Sequence, residues 1–386
     1  MICWPASIPT TRVWAKLPRT QGCGCWPRAG RIPIPSRGLD SSFWRDRRVL
    51  VTGHNGFKGA WLCLWLQALG ARVCGVSLAA PPTSPSLYEL AGVQEGIETC
   101  FACDVRDAGA LTRAVREARP EVVIHMAAQP LVRASFATPA ETFAVNALGT
   151  AHLLDAVRGC DGVQAVVVVT SDKCYAPHAG GSPHVEDDPL GGDDPYSASK
   201  ACAELIVQSY RDSFFSGPDT ARLASARAGN VIGGGDFGAE RLLPDLFRAV
   251  LAGKPLLVRN PEAVRPWQHV LSPLSGYLLL AQRLCESERF ARAWNFGPAI
   301  DDALPVRALL ERIVELWPGG IEWRIDASEH PRENPVLRLD SARARAELGW
   351  EPLLSLEDGL RLTAEWFRAY RDGEDVRAVT LGQLPS

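Results

Sequence analysis

The sequence predicts an α/β protein in which a doubly wound parallel sheet carries a smaller, mixed C-terminal lobe. Short apolar stretches alternate with helical stretches from residue 45 to residue 230, which is the pattern of successive βαβ units. A glycine-rich turn joins the first of these strands to the first helix. After residue 230 the alternation stops. We therefore expect a first domain at 45–230 and a lobe at 231–375, some segments of which return to the sheet.

Length and composition indicate an ordinary globular chain. Its 386 residues can bury a large core, and the net charge is −3 with 46% hydrophobic residues. No apolar run reaches about 18 residues, so no membrane span is predicted. The 11 cysteines show no zinc-ligand spacing, so we expect no metal site and the reduced thiols of a cytoplasmic protein.

The first 44 residues differ from the rest of the chain. They contain six basic residues and one acidic residue, and they show no helical or strand period. Without them the chain is acidic, which argues against nucleic-acid binding. An arginine-rich segment fits a targeting signal, but its prolines disfavour an amphipathic helix. We favour the alternative, a disordered or extraneous extension, and we expect residues 376–386 to be a short tail.

The first predicted strand, Arg48–Thr52, leads through a glycine-rich turn into a helix that ends at Gly70. The glycines of the turn allow a tight bend, a close backbone approach to a pyrophosphate and close packing of helix on strand. The start of the helix offers free N–H groups and a positive dipole end to phosphates. The turn therefore predicts a Rossmann-type dinucleotide site with candidate cofactor contacts at Gly53, Asn55, Gly56, Phe57, Lys58 and Gly59.

The next three predicted strands, at 71–78, 97–102 and 121–126, end where such a cofactor would bind. The second strand has no acid for an adenosine ribose and no arginine for a 2′-phosphate, so this rule leaves NAD and NADP open. The third is closed by Asp104-Val105, whose carboxylate could bond an adenine amino group or cap the next helix. The fourth ends in Ala127-Ala128-Gln129, where small residues would let a cofactor lie across the strand tip.

Polar residues recur after these strands. A capping box at Thr138-Pro139-Ala140-Glu141 predicts a helix that contains Asn146, where an asparagine usually faces solvent or bonds locally. Four valines at 166–169 predict a fifth strand, 164–170, that is buried on both faces.

The fifth strand runs directly into Thr170-Ser171-Asp172-Lys173. Ligands of open α/β sheets bind outside the carboxyl ends of the strands, so these residues fall where chemistry is expected, although an ordinary polar turn is the alternative. A helix then starts at Asp194-Pro195 and places Tyr196 and Lys200 four residues apart on one face. A sixth strand, 221–228, completes the pattern.

Together these motifs resemble the extended short-chain dehydrogenase/reductase family of nucleotide-sugar enzymes over roughly residues 43–370. Within that family the residues at 53–59, 170–175, 187–192, 265–270 and 329–331 are most similar to the 4,6-dehydratase branch that acts on CDP-glucose. Lys173 is the discriminating residue, because dTDP-glucose dehydratases carry glutamate there and epimerases carry small hydroxyl residues in place of Asp172-Lys173. The resemblance implies NAD as cofactor and a role in deoxysugar and O-antigen biosynthesis.

The resemblance also implies roles for the site residues. Tyr196 would take the proton of the sugar 4-hydroxyl, Lys200 would lower its pKa and bond the nicotinamide ribose, and Asn146 would hold a backbone kink or a water beside that lysine. Either Thr170 or Ser171 would bond the C4 oxygen. In the elimination step, Asp172 would protonate the departing 6-hydroxyl and Lys173 would take the C5 proton. The alternative for Lys173 is that it only stabilises enolate charge.

The C-terminal lobe is expected to bind the substrate. Arginine forks match diphosphate oxygens, and the candidate side chains there are Asn230, Arg241, Arg265 and Arg332. In related enzymes the helices that correspond to 138–158 and 195–212 form a dimer interface, so we expect a homodimer or tetramer. The rival functions are another dehydratase or a 4-epimerase of the same family and, from a different class, a dinucleotide-binding regulator without catalysis.

Overall fold

The computed structural model of the chain describes Ile34, residues 38–177, 181–317, 320–326, Ser328 and residues 336–385. The strands of this part are β1 (Arg48–Thr52), β2 (Arg72–Ser77), β3 (Ile97–Ala102), β4 (Val122–His125), β5 (Ala165–Val169), β6 (Arg222–Ala228), β7 (Val231–Ile232), β8 (Leu256–Val258), β9 (Val264–Pro266), β10 (Gln268–His269), β11 (Ala293–Phe296), β12 (Ala303–Pro305) and β13 (Trp323–Ile325). The α-helices are α1 (Ser41–Trp44), α2 (Phe57–Ala68), α3 (Leu87–Leu90), α4 (Ala108–Ala118), α5 (Val132–Ala137), α6 (Pro139–Phe143), α7 (Gly149–Arg158), α8 (Pro195–Phe214), α9 (Leu242–Leu251), α10 (Leu271–Glu286), α11 (Val306–Glu315), α12 (Leu356–Asp372) and α13 (Val376–Gly382).

Seven strands form one parallel sheet in the order β11-β6-β5-β4-β1-β2-β3. The chain moves outward from β1 to β3, crosses to β4 on the other side of β1, and moves outward again to β11. The strand order therefore reverses between β1 and β4. The carboxyl ends of these two strands flank the crevice in which folds of this kind bind their ligands.

Helices cover both faces of the sheet, and this explains the valine-rich strand in its middle. Val167 and Val169 of β5 belong to the core on the side of α2, α10 and α12, whereas Val166 and Val168 belong to the core on the side of α4, α7 and α8. All residues of β5 are buried as a result. β-branched side chains fit such a strand because they pack well on a pleated surface that is covered on both faces.

After β6 the chain builds a smaller lobe that contains three two-stranded sheets: β7 with β10, β8 with β13, and β9 with β12. The lobe also returns to the main sheet, because β11 pairs with β6 and α10 packs on β5 and β6. No helix in the described part of the chain combines the length and the apolar character needed to cross a membrane.

The predicted α/β fold is confirmed. All six predicted strands are present, with ends within one residue of those expected, and β11 is a further strand from the part of the chain that was expected to return segments to the sheet. These strands were predictable because each is a short apolar run between turn residues.

Ordered structure begins before residue 45 and continues beyond residue 375. Trp44 of α1 is fully buried in the core and Leu39 is buried as well, although both fall in the segment expected to be an extension. Residues 1–33 and 35–37 lie outside the described residues. The expected tail contains α13, where the hydroxyl of Thr380 accepts the indole N–H of Trp366 at 2.8 Å, so this segment is part of the fold.

The capping box predicted at 138–141 does not form. Thr138 is the N-cap residue of α6, but its side chain makes no capping bond, and its hydroxyl donates to the carbonyl of Ala134 at 3.3 Å instead. The reason is local: α5 ends directly before Thr138 and presents its own carbonyl groups to this hydroxyl. Pro139 does occupy the first helical position, as expected.

Candidate active site

The glycine turn joins β1 to α2 and leaves no room for a side chain at Gly53 or Gly59. Gly53 has a φ of +70°, and a Cβ there would lie 2.8 Å from the backbone nitrogen of Ala127. A Cβ on Gly59 would lie 2.1 Å from the carbonyl oxygen of Gly53. Gly56 is the N-cap residue of α2, so the first N–H groups of this helix point out of the turn. The result is a cradle of backbone donors that suits a diphosphate.

The side chain of Asn55 fixes this cradle to the end of β2. Its amide donates to the carbonyl of Leu78 at 2.9 Å and to that of Ala80 at 3.3 Å. Phe57 follows as the first residue of α2. The turn is thus held at both neighbouring strand ends, through Asn55 at β2 and through the close backbone contact of Gly53 beyond β4.

Asp104 and Val105 follow β3, and they differ in what they contact. Asp104 accepts hydrogen bonds from the guanidinium of Arg106 at 2.6 and 3.0 Å, and this interaction lowers the pKa of Asp104. Asp107, not Asp104, caps α4, so the capping alternative for Asp104 is wrong. Val105 is buried against Gly149, where a Cβ would meet its side chain at 2.7 Å.

The strand tip at Ala127-Ala128-Gln129 is held by Asn146. The backbone N–H of Gln129 donates to Asn146 Oδ1 at 2.9 Å, while Asn146 Nδ2 donates to the Gln129 carbonyl at 3.1 Å and to Ser199 Oγ at 2.9 Å. Asn146 lies in a π-helical turn, Ala144–Leu148, between α6 and α7. A turn of this type inserts a kink into a helix and is frequent at functional sites. Asn146 therefore ties the end of β4 to the helix that carries Lys200.

The polar run after β5 makes a 3₁₀ turn at Asp172–Cys174. The hydroxyl of Ser171 accepts the backbone N–H of Lys173 at 3.2 Å and donates to Asp172 Oδ1 at 3.1 Å. Asp172 is buried, and within the described part of the chain its Oδ2 has no hydrogen-bond partner. Burial raises the pKa of Asp172, although Lys173 and Ser171 oppose the rise. Burial therefore favours the protonated form of Asp172, and one oxygen of its carboxyl group is without a hydrogen bond among the described residues.

The first turn of α8 places Tyr196 and Lys200 on one face, after the N-cap residue Asp194. Both side chains are buried. Burial raises the pKa of Tyr196 to about 12, although a hydrogen bond with the side chain of Ser171 opposes the rise. Lys200 Nζ donates to the carbonyl of Val169 at 3.4 Å, and burial lowers the pKa of Lys200 to about 8. The expected tyrosine and lysine thus lie beside the polar run of β5.

Thr170 does not share the surroundings of Ser171. Its hydroxyl donates to Glu204 of α8, which also accepts a hydrogen bond from Ser225 Oγ at 2.7 Å and an ion pair from Arg227 at 2.8 Å. Of the two hydroxyls considered for the C4 oxygen, that of Thr170 is therefore committed inside the fold, and Ser171 is the one beside the tyrosine. The sequence interpretation missed Glu204, although its position four residues after Lys200 was a usable signal.

A second lysine, Lys58, lies near Lys200 and Asp172. Lys58 Nζ donates to the hydroxyl of Tyr277 at 3.4 Å. The pKa of Lys58 is lowered to about 7, first by burial and then by the charges of Lys200 and Arg241, while Asp172 opposes the fall. Tyr277 belongs to α10 and was missed, because nothing in the sequence links it to a glycine turn more than 200 residues earlier.

The two described arginines proposed for the substrate have different partners. Arg241 forms an ion pair with Asp236 at 3.1 Å, and its side chain remains partly exposed. Arg265 is buried, donates to the carbonyl of Val264 at 3.0 Å, and acts on Asp172, whose pKa it lowers. Both cations therefore lie near the site, and Arg265 is the one that lowers the pKa of Asp172.

Asn230 lies between β6 and β7, and its carbonyl accepts the N–H of Gln268 at 3.1 Å. The preceding Gly229 borders the catalytic carboxyl, since a Cβ there would lie 3.0 Å from Asp172 Oδ2. This segment therefore forms one wall of the site. Arg332 lies outside the described residues.

The assembled site can perform acid–base chemistry next to a bound dinucleotide. Tyr196 supplies a phenol whose deprotonation burial disfavours while Ser171 and the charge of Arg241 favour it, and Asp172 supplies a carboxyl that burial keeps protonated to higher pH. The glycine cradle lies at the reversal of strand order, where a cofactor is expected.

The chain is similar in sequence and fold to known proteins. Residues 49–297 match the NAD dependent epimerase/dehydratase family. The chain is 46% identical to the CDP-glucose 4,6-dehydratase of Salmonella typhimurium over 343 residues, which cover 88% of this chain and 95% of that protein. It is 32% identical to the dTDP-glucose 4,6-dehydratase of Streptomyces griseus, over 88% of this chain and 99% of that one. Among solved structures, the dTDP-glucose 4,6-dehydratase of Streptomyces venezuelae with NAD bound is similar with a TM-score of 0.71 and 26% identity, over 86% of this chain and 99% of that one.

Proposed function

The chain belongs to the NAD dependent epimerase/dehydratase family, and from this premise we propose that it is an NAD-dependent 4,6-dehydratase that acts on CDP-glucose. The observation that carries the proposal is the Asp172-Lys173 pair at the end of β5, where a buried carboxyl with a free oxygen stands beside Ser171 and Tyr196. An oxidation at C4 alone needs only the tyrosine and the lysine of α8. The additional acid is required when a hydroxyl must leave.

The residues present fit NAD. The cradle that a Cβ at Gly53 or Gly59 would fill offers backbone donors to its diphosphate, and the small residues Ala127 and Ala128 leave space at the tip of β4. When bound, NAD accepts a hydride from C4 of the sugar and returns it to C6, and its cationic nicotinamide adds to the charge of Lys200.

Tyr196 accepts the proton of the 4-hydroxyl in the oxidation step. Its pKa of about 12 must fall toward neutrality, and each unit corresponds to about 1.4 kcal/mol of differential stabilisation. The Lys200 cation contributes to this fall because it lies one helical turn away and both side chains are buried. Ser171 bonds the C4 oxygen of the sugar, and its hydrogen bond with Tyr196 holds the phenol in place.

Asp172 and Lys173 act in the elimination step. The ketone at C4 makes the C5 hydrogen acidic, and Lys173 takes that proton while Asp172 gives its own to the 6-hydroxyl, which leaves as water. The hydride then returns to C6 and a proton returns to C5, so the sugar loses one water without net oxidation. Lys173 must be neutral to act as the base.

The remaining assignments concern the substrate and the surroundings of the enzyme. Arg241 and Arg265 are proposed to bind the substrate diphosphate, together with Asn230 and Arg332. A cytoplasmic location, in which thiols stay reduced, is supported by the eight described cysteines, none of which forms a disulfide. A role in deoxysugar and O-antigen biosynthesis follows from the proposed product, a 4-keto-6-deoxy sugar.

We further propose that two copies associate through the surface of α6, α7 and α8. Leu148 in the π-helical turn and Leu205 on α8 expose 55% and 54% of their surface, and both lie in the segments expected to form the interface. A higher assembly, a tetramer, would use other surfaces.

The deciding experiment incubates the chain with NAD and, in parallel, with CDP-, dTDP- and UDP-glucose. The proposal expects a new C6 methyl signal in the proton NMR spectrum with CDP-glucose. Turnover of the other two sugars should be lower by at least about tenfold. A galactose signal without a methyl signal would identify a 4-epimerase. No turnover with any substrate would favour a dinucleotide-binding regulator.

A further inference from the structure

An ion pair is buried beside the carboxyl end of β5. Glu204 of α8 and Arg227 of β6 meet at 2.8 Å, and their side chains are 2% and 4% exposed. Glu204 Oε2, which faces Arg227, also accepts the hydroxyl of Ser225 at 2.7 Å, and Glu204 Oε1 accepts the hydroxyl of Thr170. Arg227 in turn donates to the hydroxyl of Tyr175 at 2.8 Å. The carboxylate is thus held by three neighbours at the carboxyl ends of β5 and β6.

Burial disfavours the charge of Glu204, but Arg227 and the two hydroxyls outweigh it and keep the pKa of Glu204 below its usual range. Glu204 is therefore an anion at neutral pH. It lies four residues after Lys200 on the same helix, so the carboxylate and the ammonium are neighbours on one helical face.

The other groups that face Lys200 are neutral or cationic. Cys174 is a thiol, because burial raises the pKa of Cys174 well above its ordinary value, and His125 of β4 is uncharged with its pKa lowered to about 3. Lys58 of α2 is a cation or a neutral amine, and Tyr196 is a phenol in the empty site. Within the described part of the chain, Glu204 is thus the anion that acts on Lys200.

We propose that Glu204 is a positioning residue of the reaction, which keeps the buried ammonium of Lys200 charged and holds Thr170, the residue next to the Val169 carbonyl that accepts from Lys200. The inference rests on the proposed function, in which Lys200 must be a cation for Tyr196 to act as a base. Glu204 touches neither the sugar nor the cofactor cradle and acts through these two neighbours.

A structural role alone explains the observations less well. A buried ion pair costs desolvation free energy that well-packed apolar residues would avoid, so burial of a carboxylate at this depth gives little stability. A glutamine would keep the shape of the side chain without the charge: its carbonyl oxygen could still accept from Arg227, while its amide N–H would donate to the hydroxyl of Thr170. The charge of Glu204 serves the guanidinium of Arg227, with which it pairs directly, and it also acts on the ammonium of Lys200, whose pKa burial lowers to about 8.

The direct test is the titration of Lys200 in the free enzyme, followed by NMR of protein labelled with ¹³C at the lysine ε-carbon. The chain has only five lysines, so Lys200→Arg assigns the signal by its disappearance. In the wild-type protein we expect a midpoint near 8, and a midpoint below 7 would contradict the proposal. In Glu204→Gln we expect the midpoint to fall by about one pH unit or more, because an adjacent buried charge is lost.

The matched control is Ser225→Ala, which removes a hydrogen bond from the same carboxylate but leaves its charge. We expect the Lys200 midpoint to stay within about 0.3 unit in this variant. An equal shift in both variants, or no shift in Glu204→Gln, would mean that Glu204 is structural. Because Glu204→Gln leaves Arg227 as a buried unpaired cation, the double variant Glu204→Gln/Arg227→Gln is titrated as well, and a smaller fall of the same sign is expected there, since a repelling charge is lost too.

The activity arm uses the pH profile of kcat/KM with CDP-glucose. In Glu204→Gln the alkaline limb, where Lys200 loses its proton, should move to lower pH, and the profile should narrow rather than fall evenly. An even fall at all pH values indicates a structural defect. If the wild-type protein turns over none of the nucleotide-glucoses, the proposed function fails, whereas the NMR titration still decides the role of Glu204.

Discussion

The amine of Lys58 lies 3.4 Å from the hydroxyl of Tyr277, at a point where the glycine turn and α10 meet. This is a second lysine–tyrosine pair in the same pocket as Tyr196 and Lys200. The cation has no carboxylate partner among the described residues, and the nearest charges are mostly positive. Lys58 therefore gives up its proton near neutral pH, so the loss of folding stability that its buried charge causes can be measured as a function of pH.

We predict that Lys58→Met stabilises the empty protein in a pH-dependent way. In the folded protein the pKa of Lys58 is about 7, below its ordinary value of 10.5, so the unfolded chain binds more protons between these values. The penalty is complete below pH 7 and vanishes as the pH approaches 10.5. The melting temperature of the variant should exceed that of wild type by about 3 °C at pH 6.5, and the gap should close toward pH 10.

Lys254→Met is the matched control for this experiment, because Lys254 is exposed in the loop after α9. Its melting temperature should follow that of the wild type across the whole range. Lys200 titrates with the same sign, and because its charge repels that of Lys58, the gap between variant and wild type includes the loss of this repulsion. A gap that stays constant with pH would show that only packing had changed.

Asp172→Asn should separate the two halves of the reaction. The amide has the shape of the carboxyl but cannot deliver a proton to the leaving 6-hydroxyl, so product formation should fall by about 100-fold or more. Oxidation at C4 does not need this proton, and the absorbance of reduced nicotinamide should accumulate when CDP-glucose is added. Asp193→Asn, at an exposed position before α8, should behave as wild type. An Asp172→Asn protein that forms the C6 methyl product at a normal rate would remove Asp172 from the mechanism.

The residues that sequence reasoning could place share one property, that their signal is local. The glycine turn is a contiguous motif, and the pair Tyr196 and Lys200 has helical spacing directly behind an N-cap and a proline. Asp172 could be placed because it follows a strand that is apolar without interruption. In each case the geometry is set by residues within one or two turns of the chain.

The residues that were missed or misplaced depend on contacts between distant segments. The hydroxyl of Thr170 is claimed by Glu204, which is 34 residues away, and Tyr277 meets a lysine 219 residues away. The capping box at Thr138 looked complete in the sequence but failed because another helix ends against it. Local chemistry proposes partners for a polar group, and tertiary packing selects among them.

Asn146→Ala should cost stability as well as activity. The substitution removes three hydrogen bonds and leaves both backbone groups of Gln129 without their partner, which predicts a loss of about 2–4 kcal/mol in the free energy of unfolding. Urea denaturation followed by tryptophan fluorescence measures it. Asn260→Ala, in an exposed loop, serves as the control and should change little. A loss below about 0.5 kcal/mol would mean that the end of β4 is held by other contacts.

Leu205→Glu should separate the proposed dimer. Leu205 is 54% exposed on α8, and a carboxylate there would be buried without a partner if two copies met at this surface. Light scattering after gel filtration should show the wild-type protein at twice the mass of the chain and the variant at one chain mass. Leu257→Glu tests the specificity of the effect, since Leu257 is 60% exposed on β8 of the smaller lobe. A variant that remains dimeric at Leu205 would place the interface elsewhere.

Lys173→Met addresses the assignment on which the mechanism depends most. If Lys173 is the base that removes the C5 proton, the variant should still form reduced nicotinamide with CDP-glucose, because oxidation at C4 uses Tyr196. Exchange of the C5 hydrogen with deuterated solvent should fall by about 100-fold or more, and NMR of the recovered sugar measures it. Lys173→Arg keeps the charge but cannot act as a base near neutral pH, so it should fail in the same way. Exchange that survives in the arginine variant but not in the methionine variant would show that Lys173 only stabilises the enolate. Loss of nicotinamide reduction in both variants would instead assign Lys173 to substrate binding.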